Sequence, residues 1–255
     1  MTVGKRYVSE LPWLLGTWLL YVPLGLLAVY LTRQPGNVAS AWVAGAFLLA
    51  VACRRGEVPL AYLLVGFAGR FTVGVIAGDP WPLVFSHAIA STLAVGLSLW
   101  ALRRLGLNVK GLPDVRSLVW PILLIGAIGP ALGGLVPAAV HQYLGTGQFT
   151  TVWFTWVVAT AFGAVVMLPP LLAADADAWR RLDAGAGPMR MGLIAAGTLA
   201  ITALSVGYLS QPFLPAMLPL LVAAFVFGRL GTALLCSANL VLMVGLRLYF
   251  DNNAL

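Results

Sequence analysis

Arg70 is the residue whose type and position most need a chemical explanation, because it lies inside a long apolar stretch. If that stretch crosses a membrane, the guanidinium costs several kcal/mol unless it snorkels to the interface or finds a partner. Snorkelling would take the side chain past Gly74 and Gly78 to the outer surface. The alternative is a partner inside the protein, either the nearby Asp79 or an anionic ligand that enters from outside.

The two histidines, His87 and His141, also lie in apolar stretches and are expected in the outer half of the protein. Two imidazoles are too few for a closed metal site without further ligands, so no metal is predicted. A haem held between the two rings is one alternative. The other is structural, with His141 at the outer interface and His87 bonded to a neighbouring helix. The identity of any cofactor is left open.

The acidic residues offer little for catalysis, because all 8 lie near the ends of apolar stretches or in loops. No pair of carboxylates is placed for proton relay, and the chain has no phosphate-binding loop or nucleophile elbow. We therefore predict no catalytic residues and no enzymatic activity for this chain. The acids are Glu10, Glu57, Asp79, Asp114, Asp175, Asp177, Asp183 and Asp251.

Five bulky or polar side chains are hard to place against lipid and predict an interior pocket. Trp42 and Trp156 lie too deep in apolar stretches for the aromatic belt that forms at membrane interfaces. The amide of Asn239 has several donors and acceptors to satisfy. Together with Arg70 and His87, these residues form the predicted pocket for a small ligand or a membrane partner. Other mid-span hydroxyl groups are expected to bond between helices: Ser91, Thr92, Thr155, Thr160 and Ser237.

The composition indicates which elements must position these residues. The chain is 61% hydrophobic and 9% charged, with a mean hydropathy of +0.95, whereas a soluble domain carries about 25% charged residues. A bilayer core takes roughly 20 apolar residues per helix. We predict an all-α polytopic transmembrane bundle of about nine spans, forming a single domain over residues 1–255. The spans are Leu11–Leu31, Val38–Cys53, Val58–Ala77, Pro82–Leu102, Leu118–Val140, Thr151–Ala173, Met191–Leu209, Phe213–Gly228 and Leu230–Phe250.

The basic residues predict the orientation of the bundle. With the N-terminus in the cytoplasm, Arg33 and Arg247 fall outside, Arg70 lies within the third span, and the other Lys and Arg residues are cytoplasmic. That asymmetry follows the positive-inside rule. Topology and anionic lipid headgroups thus explain the net charge of +7, and no nucleic acid partner is predicted. The second and eighth spans are marginally long, and nine full crossings would place Leu255 outside.

Four segments occur in an order and spacing that are hard to obtain by chance. They are Ala41-Trp42-Val43-Ala44-Gly45, Leu99–Gly106, Trp153-Phe154-Thr155-Trp156 followed by Gly163 and Pro169-Pro170-Leu171-Leu172, and Phe227-Gly228-Arg229-Leu230-Gly231. Together they resemble the first class of bacterial membrane-associated sensor domain, the integral-membrane input module of histidine kinases and diguanylate cyclases. The chain departs from the family's pattern at Val43, Ala44, Ser91, Ala94, Ala159 and Thr160.

The resemblance implies a sensor in the bacterial inner membrane that relays an external or membrane cue, or a membrane partner, to a cytoplasmic effector. The effector would be a kinase of a two-component system or a cyclase of cyclic di-GMP signalling. The resemblance also implies a homodimer in the full-length protein and a tenth helix beyond Leu255. The alternative, based on the glycine and proline content of the helices, is a small-molecule transporter or its substrate-binding membrane subunit.

Overall fold

The computed structural model shows an all-helical protein and describes residues 3–33, 39, 41–55, 59–110, 114–175, 177–180, 188–208 and 213–253. Seven of the helices are long and apolar enough to cross a membrane. Large apolar side chains lie on their outer faces, and Leu19, Leu64 and Phe154 are each more than half exposed. The predicted all-α class is confirmed, and the seven apolar helices indicate a membrane protein. The predicted count of nine spans is not confirmed.

The helices follow one another through short connections. They are α1 (Val3–Thr32), α2 (Ala44–Arg55), α3 (Pro59–Ile76), α4 (Trp81–Arg104), α5 (Val115–Leu123), α6 (Gly129–Gly133), α7 (Leu135–Tyr143), α8 (Phe149–Ala173), α9 (Pro188–Tyr208) and α10 (Phe213–Asn253). A π-helical turn, Leu124–Ile128, joins α5 to α6. The chain divides into two compact units, residues 1–168 and 169–255, and the single domain over residues 1–255 stays a prediction.

Five predicted spans correspond to helices of nearly the same extent. The corresponding segments that are long and apolar enough to cross a membrane are Glu10–Tyr30, Pro59–Ile76, Trp81–Arg104, Phe149–Ala173 and Met189–Val206. The predicted boundaries Val38, Val58 and Leu209 lie outside the described residues. Long apolar runs with clear Gly, Pro or charged borders are therefore sufficient to predict these helices.

Helix α4 is central to the first unit, where it contacts α2, α3, α5, α6, α7 and the π-helical turn. Its closest approach is to α6. A Cβ added to Gly129 would lie 2.8 Å from the carbonyl oxygen of Ala94, and one added to Gly133 would lie 2.7 Å from that of Ala90. Because both glycines lack a side chain, the two helix backbones can meet directly.

The second predicted span forms a short helix preceded by non-helical chain. Helix α2 has 12 residues and is about 18 Å long, less than a bilayer core. The segment nevertheless follows the length of α1. Ala39 forms a bridge with Arg33 at one end, and Arg55 donates to Glu10 at the other. Residues 41–43, which precede α2, are not helical.

The fifth predicted span is a broken helix. Its first helix, α5, begins with a capping box in which Asp114 accepts a hydrogen bond from the backbone N–H of Ser117 at 2.7 Å. The π-helical turn widens the backbone just before Pro130, which has no N–H to donate and whose ring would crowd a regular turn. The run Arg116–Tyr143 as a whole is long and apolar enough to cross a membrane.

In the second unit, the eighth and ninth predicted spans form the two segments of α10. They meet at Gly228, which has φ of 62° and ψ of −169°, a conformation that glycine adopts far more readily than other residues. The break therefore lies within the segment Phe227–Gly231. Helix α9 contacts α10.

Candidate functional site

A narrow cavity lies inside the first unit, beside the non-helical residues 41–43 that precede α2. It is lined by Val29, Ala39, Trp42, Arg70, His87, Trp156, Ala159 and Thr160. Its volume is about 20 Å³, which is room for about one water molecule. We call it the arginine cavity.

The non-helical chain before α2 places Trp42 against α8. The backbone N–H of Trp42 donates to the carbonyl oxygen of Ala159 at 2.9 Å, so this non-helical peptide is satisfied within the protein, as membrane depth requires. A Cβ on Gly163 would lie 1.9 Å from the carbonyl oxygen of Trp42. This close approach therefore depends on glycine, and it fixes one wall of the cavity.

Arg70 points into the protein and does not snorkel, since only 4% of its surface is exposed. Its Nη2 donates to Nδ1 of His87 at 2.7 Å, and its guanidinium carbon lies 4.8 Å from the centre of the Trp42 ring. The remaining nitrogens, Nε and Nη1, have no hydrogen-bond partner among the described residues. The cation is therefore held by an imidazole and an aromatic face, and neither group carries a negative charge.

Hydrogen bonds connect Arg70 to both histidines. A guanidinium only donates, so Nδ1 of His87 accepts and the His87 proton lies on Nε2. Nε2 of His87 then donates to Nε2 of His141, 3.2 Å away. His141 must carry its own proton on Nδ1, which donates to Oγ1 of Thr146 at 2.8 Å. The network thus assigns both tautomers, and its bonds run from Arg70 to the loop after α7.

The two imidazoles lie too close together for the haem alternative. Their centroids are 5.3 Å apart and their Nε2 atoms 3.2 Å apart. A metal ion bound by both nitrogens would separate them by about 4 Å, since each metal–nitrogen bond is about 2.0 Å. His141 is also 0% exposed and hence is enclosed by protein, whereas we expected it at an interface. No group of three or more metal-binding side chains occurs in the described part of the chain.

Trp156 is the second tryptophan that lines the cavity. Its ring lies 5.2 Å from that of His87, with an angle of 32° between the planes. A Cβ on Gly134 would come within 2.9 Å of the Trp156 ring. Thr160, one helical turn further along α8, donates to the carbonyl oxygen of Trp156. Trp156 is thus fixed by a glycine of the broken helix and by His87.

Asp79 pairs with Arg33, and the expected pairing with Arg70 is not found. Nη2 of Arg33 donates to Oδ1 of Asp79 at 2.6 Å, and the Asp79 side chain is only 2% exposed. No carboxylate forms an ion pair with Arg70 in the described residues. The charges of Arg33 and Asp79 offset each other, so the charge of Arg70 has no counter-ion within that part of the protein.

Tyr21 is a residue of this region that the sequence did not reveal. Its side chain is fully buried, and its ring meets that of Trp42 edge-on at 6.3 Å. No hydrogen bond of ordinary geometry forms at its hydroxyl group among the described residues, but the Ser91 hydroxyl lies within hydrogen-bonding reach and the charge of Arg70 is nearby. A tyrosine hydroxyl in the middle of an apolar span is the only sequence signal that could have indicated it.

Comparison with known proteins gives no family for this chain. No known protein family, curated protein or solved structure matches it. The resemblance to the sensor family therefore stays a prediction, and the argument for function depends on the contacts of the site.

The five residues of the predicted pocket fall into two groups. Trp42, Arg70, His87 and Trp156 all line the arginine cavity. Asn239 lies in the second unit, where its Oδ1 accepts a hydrogen bond from Thr202. That contact is the helix-to-helix bond common for polar residues in membranes. The structure thus brings four of the five residues together and gives Asn239 a separate partner.

A second charged group at the other end of α1 provides a reference. Glu10 is 5% exposed and accepts hydrogen bonds from Nη2 of Arg55 at 3.1 Å and from the hydroxyl of Tyr62 at 2.7 Å. The guanidinium of Arg55 also lies 4.2 Å from the centre of the Trp13 ring. We call these four residues the glutamate cluster. Here the arginine has both an aromatic face and a carboxylate.

Proposed function

We propose that this chain is a membrane-embedded signal-input module whose cue binds in the arginine cavity. The observation that carries the proposal is the guanidinium of Arg70, which is buried and has two nitrogens without a partner among the described residues. A cation at membrane depth is costly unless something neutralises it, and such residues mark functional sites in membrane proteins. A ligand that supplies the missing contacts gains binding energy there.

Binding at this site changes contacts on several elements at once. Trp42 precedes α2, Arg70 belongs to α3, His87 to α4 and Trp156 to α8. A module with two arrangements of these elements shifts its population towards the one that the ligand prefers. In this proposal the shift reaches a cytoplasmic histidine kinase or diguanylate cyclase, and the module works as a homodimer in the bacterial inner membrane with its N-terminus in the cytoplasm.

The test is the signalling output of cells that produce the protein from its own gene. We expect Arg70→Met and Arg70→Lys to shift the basal phosphorylation of the response regulator or the cellular level of cyclic di-GMP. Arg104→Met is the matched control, because the exposed Arg104 also lies over a tryptophan, 5.8 Å from the ring of Trp100. Normal output from both Arg70 variants, inserted in the membrane at normal levels, would contradict the proposal.

The transporter alternative is favoured by the two breaks in helical structure beside the site. Residues 41–43 are not helical, and Leu124–Ile128 form a π-helical turn. Discontinuous helices line the substrate sites of many transporters. Proteoliposomes containing the purified chain separate the two functions. Arg70-dependent efflux of chloride or small organic anions supports a carrier, whereas binding without efflux supports an input module.

A further inference from the structure

We propose that the arginine cavity binds one small monovalent anion of the halide class, such as chloride, at the free N–H groups of Arg70 and Trp42. This inference rests on the proposed function in taking the cavity as the ligand site, and it adds the chemical class of the ligand. Three independent properties of the site support it: its free donors, its charge and its size.

The unpartnered polar groups of the side chains that line the cavity can only donate hydrogen bonds. They are Nε and Nη1 of Arg70 and Nε1 of Trp42, each buried and without a partner in the described residues. Guanidinium and indole N–H groups have no acceptor capacity. An anion accepts from such groups, whereas a cation or a donor-only ligand would leave them unsatisfied.

The local charge also favours an anion over a water molecule. Arg33 and Asp79 offset each other as an ion pair, and the hydrogen bonds of His87 assign it a neutral tautomer. The charge of Arg70 is therefore left over. The face of Trp42 attracts a cation through its ring quadrupole but cannot neutralise it. Water would accept hydrogen bonds from Arg70 but leave its charge in place, whereas an anion accepts the hydrogen bonds and also neutralises the charge.

The size of the cavity limits the ligand to a single small ion. A volume of about 20 Å³ holds about one water-sized particle. Carboxylates and phosphate carry several heavy atoms and would require the walls to move. The wall at Trp42 resists such movement, because its backbone lies directly against Gly163 of α8.

The experiment is thermal unfolding of the purified protein in nanodiscs at constant ionic strength. Chloride or bromide replaces gluconate stepwise, since gluconate is too large for the cavity. We expect the unfolding temperature to rise with halide concentration and to saturate, as it does when a ligand binds the folded state. No halide dependence beyond that seen with gluconate would mean that water fills the cavity, and the inference would be overturned.

Two variants and one control localise the effect. Arg70→Met is expected to abolish the halide-dependent rise, and the control Arg104→Met to retain it. Tyr21→Phe removes a hydroxyl group beside the cavity that interacts with Arg70 and Ser91, and we expect it to weaken the apparent halide affinity about tenfold. An undiminished halide response in both Arg70→Met and Tyr21→Phe would place the binding elsewhere and overturn the inference.

The outcomes for this inference and for the proposed function are distinguishable. Halide stabilisation that depends on Arg70, combined with normal signalling from the Arg70 variants, supports the anion site and contradicts the sensor. Altered signalling from the Arg70 variants without any halide stabilisation supports the sensor and overturns the anion as its ligand.

Discussion

The two buried charged groups of the first unit contain the same pairing of an arginine with a tryptophan face, but they differ in what neutralises the arginine. In the glutamate cluster, Arg55 donates to the carboxylate of Glu10, which also accepts from Tyr62. In the arginine cavity, Arg70 donates to a histidine. One group thus satisfies its charges within the protein, and the other leaves a positive charge and several donors free.

That difference separates a structural role from a binding role. In the glutamate cluster the carboxylate of Glu10 neutralises Arg55, although Nε of Arg55 has no partner among the described residues. Such an ion pair holds helices in register and leaves no net charge for a ligand to neutralise. A buried cation without a counter-ion costs free energy that only a ligand can offset. The comparison therefore predicts a larger loss in the free energy of unfolding when the arginine or the tyrosine of the glutamate cluster is changed than when its counterpart at the arginine cavity is changed.

The largest expected effect is that of Gly163→Ala, which acts on the arginine cavity alone. The new Cβ would lie 1.9 Å from the carbonyl oxygen of Trp42, so the chain before α2 must move away from α8. We expect a loss of more than about 3 kcal/mol in the free energy of unfolding, measured by detergent titration. Gly16→Ala is the control, because its Cβ would meet nothing within 4 Å. Equal stability of the two variants would contradict this account of the cavity wall.

The two arginines provide the second test. Arg55→Met leaves Glu10 buried without its ion-pair partner, and we expect a loss of about 1–3 kcal/mol in the free energy of unfolding. Arg70→Met removes a charge that has no counter-ion, so in halide-free buffer we expect a change of less than about 1 kcal/mol. Unfolding titrations of both variants measure the difference. A greater loss in the free energy of unfolding for Arg70→Met than for Arg55→Met would contradict the claim that Arg55 has the structural role and Arg70 does not.

The two buried tyrosines, Tyr62 and Tyr21, provide a third test of the difference between the two groups. Tyr62→Phe removes a hydrogen bond to a carboxylate, at a cost of about 1.5–3 kcal/mol. Tyr21→Phe removes a hydroxyl that has no partner in the described residues, so we expect a cost below about 0.5 kcal/mol without halide. Both side chains are 0% exposed, which makes the pair well matched. Similar costs would show that the Tyr21 hydroxyl has a partner in the folded protein.

The smallest effect is expected at the end of the hydrogen-bonded chain. Thr146→Val removes the acceptor of His141 Nδ1 while keeping the shape of the side chain, and we expect a loss of about 1 kcal/mol in the free energy of unfolding. Thr72→Val is the control, since the exposed Thr72 hydroxyl donates only to its own helix, at Ala68. If the two variants have equal stability, the tautomers assigned to the two histidines are wrong.

The sequence was informative about helices whose apolar runs have clear borders and less so about the segment before α2. An apolar run of that length predicts a helix by composition, but residues 41–43 are not helical, and Trp42 there bonds to Ala159 and lies against Gly163. Those partners are more than 100 residues away in the sequence. A contact of that kind cannot be read from local periodicity.

The site was also only partly predictable, because the contacts between its residues are long-range. Arg70, His87, Trp42 and Trp156 were identified because each is a poor neighbour for lipid. The sequence did not show that His141 bonds to His87, or that Asp79 pairs with Arg33. Asn239 fits the same criterion as the cavity residues, yet its partner is Thr202. Polarity within a span thus identifies residues that need partners and does not identify the partners.

The most direct test of the central claim is anomalous diffraction from crystals of the protein grown in bromide. We expect one ordered bromide peak in the arginine cavity, within hydrogen-bonding distance of Nε or Nη1 of Arg70, and no peak at the glutamate cluster. The peak should disappear in Arg70→Met crystals grown in the same way. A cavity that contains only water, or a bromide bound at the glutamate cluster instead, would contradict the distinction between a binding site and a structural ion pair.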